Sequence, residues 1–172
     1  MNLLDLDAAR AAVAQPFGPI VMTRGIGHGP TTLAAFDTAL LDAGVANYNL
    51  ICLSSVIPPG SVIERRRWHT PQQEWGQRLY CVMSQMREDR PGHTAHAGIG
   101  WVRDSAGGHG LFVELHGDDR HRLERDLHAT LETMQRNRGM ALGAVHTEIA
   151  SARCDVVPVC ALVLAVYAAQ AW

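Results

Sequence analysis

Residues 47–60 constrain this chain more than any other stretch: Asn47-Tyr48-Asn49-Leu50-Ile51-Cys52-Leu53-Ser54-Ser55-Val56-Ile57-Pro58-Pro59-Gly60. Leu50 to Leu53 is an apolar run of strand length. Two prolines and a glycine cannot continue a ladder, because proline lacks the N–H and fixes its φ. The stretch is expected to be a buried strand that runs into two serines and stops at a turn. Ser54 and Ser55 then sit where a strand leaves its sheet, a frequent place for chemistry in α/β proteins.

At 172 residues the chain is long enough for one domain with a core of its own. Its net charge of −2 excludes a polyanion-binding signature, so no nucleic-acid partner is expected. All 15 basic residues apart from histidine are arginines. A chain without lysine cannot form a Schiff base through its own amines, so imine chemistry here needs another carbonyl or amine. Cys52, Cys81, Cys154 and Cys160 lack metal-knuckle spacing and lie mostly in apolar runs. They read as reduced core residues of a cytoplasmic protein. No signal peptide is expected from Met1-Asn2-Leu3-Leu4-Asp5, and the apolar run 156–169 is too short to span a bilayer.

In chain order, residues 4–14 predict an alanine-rich helix opened by Asp5 or Asp7 and ended before Pro16. Residues 19–23 predict a short strand, followed by a glycine-rich loop, Gly25-Ile26-Gly27-His28-Gly29-Pro30. Thr31 or Thr32 then caps a helix to Ala43 that stops at Gly44. The apolar stripe of this helix is Leu33, Phe36, Leu40 and Leu41, and its missing i+4 member is Asp37. A carboxylate on a buried stripe is costly unless paired. It is either a cap for a loop amide or an acid waiting for a cation.

Residues 61–76 are polar and irregular, with Arg65-Arg66-Arg67 expected on a solvated surface. Strands are predicted at 78–86, 94–102 and 110–116, the first two joined by a charged hairpin-like turn and the last preceded by Gly107-Gly108. The alanine- and glycine-rich middle strand invites close approach by something large. Asp118 and Asp119 open an amphipathic helix to about Arg138, with Leu123, Leu127, Leu131 and Met134 inward and Gly139 as its stop. Strands at 141–150 and 156–167 follow, the last buried on both faces or at an assembly interface. This order gives an α/β (α+β) fold, a four-layer α/β/β/α sandwich in a single domain with helices outside the sheets.

Several chemistries are disfavoured. Gly25-x-Gly27-x-Gly29 lacks dinucleotide spacing, and there is no Walker lysine. His93 and His96 fall on opposite faces of a strand mouth, so no metal site is expected. The serine pair lacks the glycines of a nucleophile elbow.

The run Leu33-Ala34-Ala35-Phe36-Asp37-x-Ala39-Leu40-Leu41-x-Ala43-Gly44-Val45-x-Asn47-Tyr48-Asn49-Leu50-Ile51-x-Leu53-Ser54-Ser55-Val56-Ile57-Pro58-Pro59 resembles the pyruvoyl-dependent arginine decarboxylases. So does Gly110-Leu111-Phe112-Val113-Glu114-Leu115-x-Gly117. Order and spacing fit from about residue 21 to 172, while residues 61–80 and the N-terminal helix match poorly. The resemblance implies that the chain cuts itself between Ser54 and Ser55, giving residues 1–54 and 55–172, with a covalent pyruvoyl cofactor made from Ser55. It implies that Asn49 assists self-processing, that Glu114 returns a proton to the substrate's α-carbon, and that Asp37 holds a guanidinium. A carboxyl kept protonated by an apolar site beside Phe112 and Leu115 would suit Glu114. The implied reaction turns L-arginine, a small amino acid, into agmatine and carbon dioxide, in a homo-oligomeric trimer or hexamer with sites between subunits. His28 and His116 stand where the family commonly carries acids. Alternatives are the same chemistry on another amino acid, or a non-processing, non-catalytic oligomeric binding subunit.

Overall fold

The computed structural model describes residues 18–105 and 108–172. The predicted N-terminal helix and Gly107 of the predicted turn lie outside the described residues. In chain order the elements are β1 (Ile20–His28), α1 (Thr32–Ala43), β2 (Asn49–Cys52), β3 (Val56–Ile57) and β4 (Ile63–Arg65). After a short 3₁₀ turn at Gln72–Glu74 come β5 (Arg78–Glu88), β6 (Thr94–Arg103), β7 (Gly110–Gly117), α2 (Arg120–Asn137), β8 (His146–Arg153) and β9 (Val159–Gln170).

The strands form two sheets, ordered β2-β5-β9-β1-β4 and β3-β7-β6-β8. The largest apolar cluster lies between them, with Ile20, Val82, Ile99, Phe112 and Val163. A second cluster joins α1 to the outer face of the first sheet, and a third joins α2 to the outer face of the second. This is the expected α/β/β/α sandwich. β9 is the central strand of the first sheet, with β5 and β1 as antiparallel neighbours. It alternates between the two apolar clusters, so it is buried on both faces within one chain and needs no assembly interface to cover it.

The glycine-rich loop is not a loop. β1 runs through Gly25 and Gly27 to His28, paired residue by residue with β9. A Cβ built on Gly25 would lie 2.0 Å from the Ala39 carbonyl oxygen, and one on Gly27 would lie 2.0 Å from that of Ala35. The glycines therefore let the α1 backbone lie directly on the strand. That approach also decides which face of α1 is buried: only alanine fits, and Ala35, Ala39 and Ala43 form the inward stripe. The expected apolar stripe is corrected accordingly. Leu33 and Leu41 are 64% and 52% exposed, and Asp37 lies between them at i, i+4, i+8 spacing, also exposed. Gly27→Ala is expected to cost about 3 kcal/mol or more, since backbone rather than a movable side chain opposes the new methyl. A thermal melt should show the drop; an unchanged midpoint would refute the close-packing account.

The capping signals act as expected. Thr31 Oγ1 accepts from the Ala34 N–H at 3.1 Å, and Gly44 closes α1 at φ 85°. In α2, the Asp119 carboxylate accepts from the Arg122 N–H at 2.8 Å, and Leu123, Leu127 and Leu131 face inward. Leu127 and Leu131 seat against Gly98 and Gly100 of β6, so a helix is the large body that the small-residue strand admits.

Other expectations change. β5 and β6 belong to different sheets, so the charged segment between them is a corner rather than a hairpin. Within it Glu88 is buried, and its carboxylate accepts from the Arg90 guanidinium and the Asp89 and Arg90 N–H groups. The Arg90 bonds hold that carboxyl down at about 2. Residues 61–76 contain β4, which adds a parallel edge to β1. The three arginines are exposed, yet each is engaged: Arg65 with Glu148 at 3.0 Å, Arg66 with Glu64 at 3.1 Å, and Arg67 with the Leu41 and Asp42 carbonyls at the end of α1. The strand expected at 141–150 begins only at His146, and the final strand begins after Pro158, which has no N–H for the ladder. No helix among the described residues is long and apolar enough to cross a membrane.

Candidate active site

β2 is an edge strand of the first sheet, half-exposed rather than buried as expected. It runs parallel to β5, and the last bond of this ladder goes from the Leu53 N–H to the Cys81 carbonyl at 2.9 Å. Three residues later the chain is in the other sheet, where β3 pairs antiparallel with β7. Ser54 and Ser55 are the crossing between the sheets. Cys52, which the sequence suggested would be a core residue, is exposed beside this crossing; its ladder partner Cys81 is buried. Burial pushes the Cys81 thiol up to about 12, so it packs rather than reacts.

Ser55 has φ 49°, and among the described residues it is the only non-glycine with a positive φ. For an L-residue this conformation costs about 1–2 kcal/mol, and it persists only where neighbours enforce it. Three contacts do so. The Ser55 carbonyl accepts from the Phe112 N–H at 2.8 Å. The Ser55 hydroxyl donates to Glu114 Oε2 at 2.6 Å. The Tyr167 hydroxyl donates to the Val56 carbonyl at 2.8 Å.

β7 positions both of its contributions through the two-residue strand period. Phe112 is fully buried between the sheets, and Glu114, on the same face two residues on, reaches the open margin beside Ser55. Buried Ser84 on β5 fixes this strand across the sheets: its hydroxyl donates to the Leu115 carbonyl at 2.5 Å and accepts from the Gly98 N–H at 3.1 Å. Glu114 is exposed, so the apolar enclosure expected from Phe112 and Leu115 is not present within one chain. Tyr167 stands edge-on to Phe112, with ring centroids 6.2 Å apart. Burial above all, and then the Glu114 charge, push its hydroxyl well above the usual tyrosine range, so it serves as a donor. A cavity of about 600 Å³ opens beside Ser54, lined by Leu53, Val56, Pro58, Tyr80 and Tyr167.

The structure thus joins Ser55 and Glu114, which are far apart in sequence. It does not join the other two candidates to them. The Asn49 side chain donates to the Gly76 carbonyl at 2.6 Å, the same oxygen that accepts from the Trp172 indole at 3.0 Å. The Asp37 carboxylate has no hydrogen bond or ion pair with any described residue, and it does not line the cavity beside Ser54. Sequence reasoning missed Tyr167, Ser84 and the Phe112 N–H. Tyr167 left a trace, as a polar aromatic in an otherwise apolar strand; a backbone donor leaves none.

A serine in a left-handed conformation is bonded to a carboxylate where the chain crosses between the two sheets of an α/β sandwich. Comparison with known proteins specifies the class. The pyruvoyl-dependent arginine decarboxylase 1 of Methanosarcina acetivorans is 30% identical over 112 residues, covering 64% of this chain and 67% of that protein. The pyruvoyl-dependent arginine decarboxylase of Methanothermobacter thermautotrophicus is 39% identical over 80 residues, 46% of this chain and 50% of that protein. That of Archaeoglobus fulgidus, numbered 1 in its organism, is 31% identical over 99 residues, 57% and 63% respectively. The chain therefore spans about half to two thirds of the length of the curated relatives it matches. Residues 19–171 match the family model described as pyruvoyl-dependent arginine decarboxylase, and the chain belongs to that family. The family's cofactor is a covalent pyruvoyl group, and the residues around Ser55 fit one: its hydroxyl meets a carboxylate, and its carbonyl is already held.

Proposed function

We propose that this chain cuts itself between Ser54 and Ser55 into residues 1–54 and 55–172, and then decarboxylates L-arginine to agmatine. The observation that carries this is the 2.6 Å bond from the Ser55 hydroxyl to Glu114 at the strained crossing. Glu114 accepts the hydroxyl proton as Ser55 Oγ attacks the Ser54 carbonyl carbon, and the peptide nitrogen receives a proton as its bond to that carbon breaks. Cutting this bond frees φ of Ser55, so the cost of its left-handed conformation favours the ester over the peptide. Asn49, anchored through Gly76, supports the start of the crossing.

A pyruvoyl ketone supplies the carbonyl that a lysine-free chain lacks, and draws electrons as carbon dioxide leaves, as pyridoxal phosphate does elsewhere. Glu114 then delivers a proton to the substrate's α-carbon. The apolar cavity beside Ser54 takes the aliphatic part of the substrate and excludes water.

Asp37 holds the guanidinium in a two-point contact. Its place in the middle of the exposed Leu33–Leu41 stripe supports a trimer, or a pair of trimers, in which α1 of one chain completes the site of its neighbour. The setting is cytoplasmic, which four free cysteines suit.

Two measurements test this. Intact mass should show fragments ending and starting at 54 and 55, and carbon dioxide release should favour arginine over lysine, ornithine, histidine and aspartate. An uncleaved chain, from fresh and aged protein alike, would reject the enzyme in favour of a binding subunit. Asp37→Asn should still cleave but raise KM for arginine about 10- to 100-fold, the loss of one charge-assisted pair. Co-expressing Asp37→Asn with Ser55→Ala chains should restore part of the lost activity. Failure of that complementation would place Asp37 and Ser55 of one site in the same chain.

A further inference from the structure

The bond from the Phe112 N–H to the Ser55 carbonyl exists before any processing, at 2.8 Å, within the 2.7–3.1 Å window of an oxyanion donor. Tyr167 holds the next carbonyl, that of Val56, so the peptide plane between them cannot swing away from Phe112. β3 is only two residues long, paired with β7 and anchored by the buried Ile57, and the Tyr167 bond adds a side-chain hold between that anchor and Ser55.

Resting on the self-processing decarboxylase described above, we infer that the Phe112 N–H is an oxyanion donor to the Ser55 carbonyl, with Tyr167 as the positioning residue that keeps that carbonyl on it. The bond changes locate where charge develops. In the first step Ser55 Oγ bonds to the Ser54 carbonyl carbon and the Ser54–Ser55 peptide bond breaks. The charge of that transition state falls on the Ser54 oxygen, which Phe112 does not touch. In the second step a base removes the Ser55 α-proton. The C–H electron pair forms the Cα–Cβ double bond, the Cβ–Oγ bond breaks, and Ser54 leaves as a carboxylate. Water then replaces nitrogen, which departs as ammonia. As the α-proton leaves, negative charge spreads onto the Ser55 carbonyl oxygen, and Phe112 donates to that atom. In substrate turnover the same donor faces the same oxygen, which lies beside the ketone where electrons collect. One backbone donor therefore serves both the making and the use of the cofactor.

The test removes only this donor. In the full-length chain Phe112 is replaced by its α-hydroxy acid, which puts an ester oxygen in place of the N–H and keeps the ring. Processing is followed by intact mass with and without hydroxylamine, which cleaves an ester at Ser54–Ser55 to release residues 1–54, a fragment distinct in mass from the 1–111 piece released at the ester introduced before residue 112. The acyl shift is expected at its ordinary rate and elimination about 10²-fold slower, so full-length chain that releases residues 1–54 only on hydroxylamine treatment accumulates. Elimination at the unmodified rate overturns the inference, and so does a slowed acyl shift with no ester accumulating. Tyr167→Phe retains the ring and the backbone donor. It should accumulate the same ester through an elimination slowed about fivefold, the worth of one hydrogen bond, and it decides the matter if the ester chain does not fold. Processing of Tyr167→Phe indistinguishable from the unmodified chain then overturns the inference. An unmodified chain that never yields ester or fragments defeats the decarboxylase assignment itself, a distinct result seen before either variant is made.

Discussion

Ser55→Ala should leave a single chain of about 18.7 kDa that releases no carbon dioxide from any amino acid. The substitution removes the only atom that both attacks the Ser54 carbonyl and leaves with it, so no slower route to the ketone exists. Its fold should survive, because the Ser55 carbonyl still accepts from Phe112 and the lost hydroxyl is exposed. Alanine at φ 49° is less tolerated than serine, so a stability loss of about 1 kcal/mol is expected alongside the loss of processing. Intact mass, a thermal melt and a carbon dioxide assay separate these effects. Normal cleavage in this variant would refute the assignment of Ser55, and with it the cofactor's origin.

The second large effect is expected at Glu114→Gln. Glutamine keeps the size of the side chain and still accepts a hydrogen bond from Ser55, but it neither takes the hydroxyl proton nor carries one to the substrate. Processing should slow by about 10- to 100-fold and still reach completion. Turnover of the processed enzyme should fall about 10²- to 10⁴-fold, the usual range for a lost general acid. The fall should appear in kcat with KM little changed, because the proposed side-chain contact is to Asp37 rather than Glu114. A variant that turns over at the original rate would remove Glu114 from the chemistry. One with unchanged kcat and a raised KM would make it a binding residue.

The serine pair at a strand exit and both helix caps were legible in the sequence because each is a local signal, while Glu114 was picked out only by the resemblance to the family. Thr31, Gly44 and Asp119 act on backbone groups within a few residues. The strand exit before Pro58-Pro59-Gly60 follows from what proline cannot donate. The failures share a cause. Gly25 and Gly27 look like a loop because glycine permits many conformations, and only the position of α1 shows that they admit a helix backbone. The stripe of Leu33, Phe36, Leu40 and Leu41 gives the helical period correctly, yet Leu33 and Leu41 face outward and Phe36 and Leu40 pack only at the margin, because that close approach leaves room only for alanine at its centre. Hydropathy ranks residues by transfer free energy and carries no information about the width of the gap they must fill.

The sequence by itself determined most of the elements and their order, a strand stopped at two serines, and the lack of a side-chain amine for imine formation. Only the tertiary structure decided that Ser54 and Ser55 form a bridge between two sheets. Short-range rules end at the turn, and what lies beyond it depends on strand pairing between residues more than 50 positions apart. The same pairing places the Ser55 hydroxyl 2.6 Å from Glu114 and its carbonyl 2.8 Å from the Phe112 N–H. A backbone N–H is identical at every non-proline position, so its role comes entirely from where the fold points it.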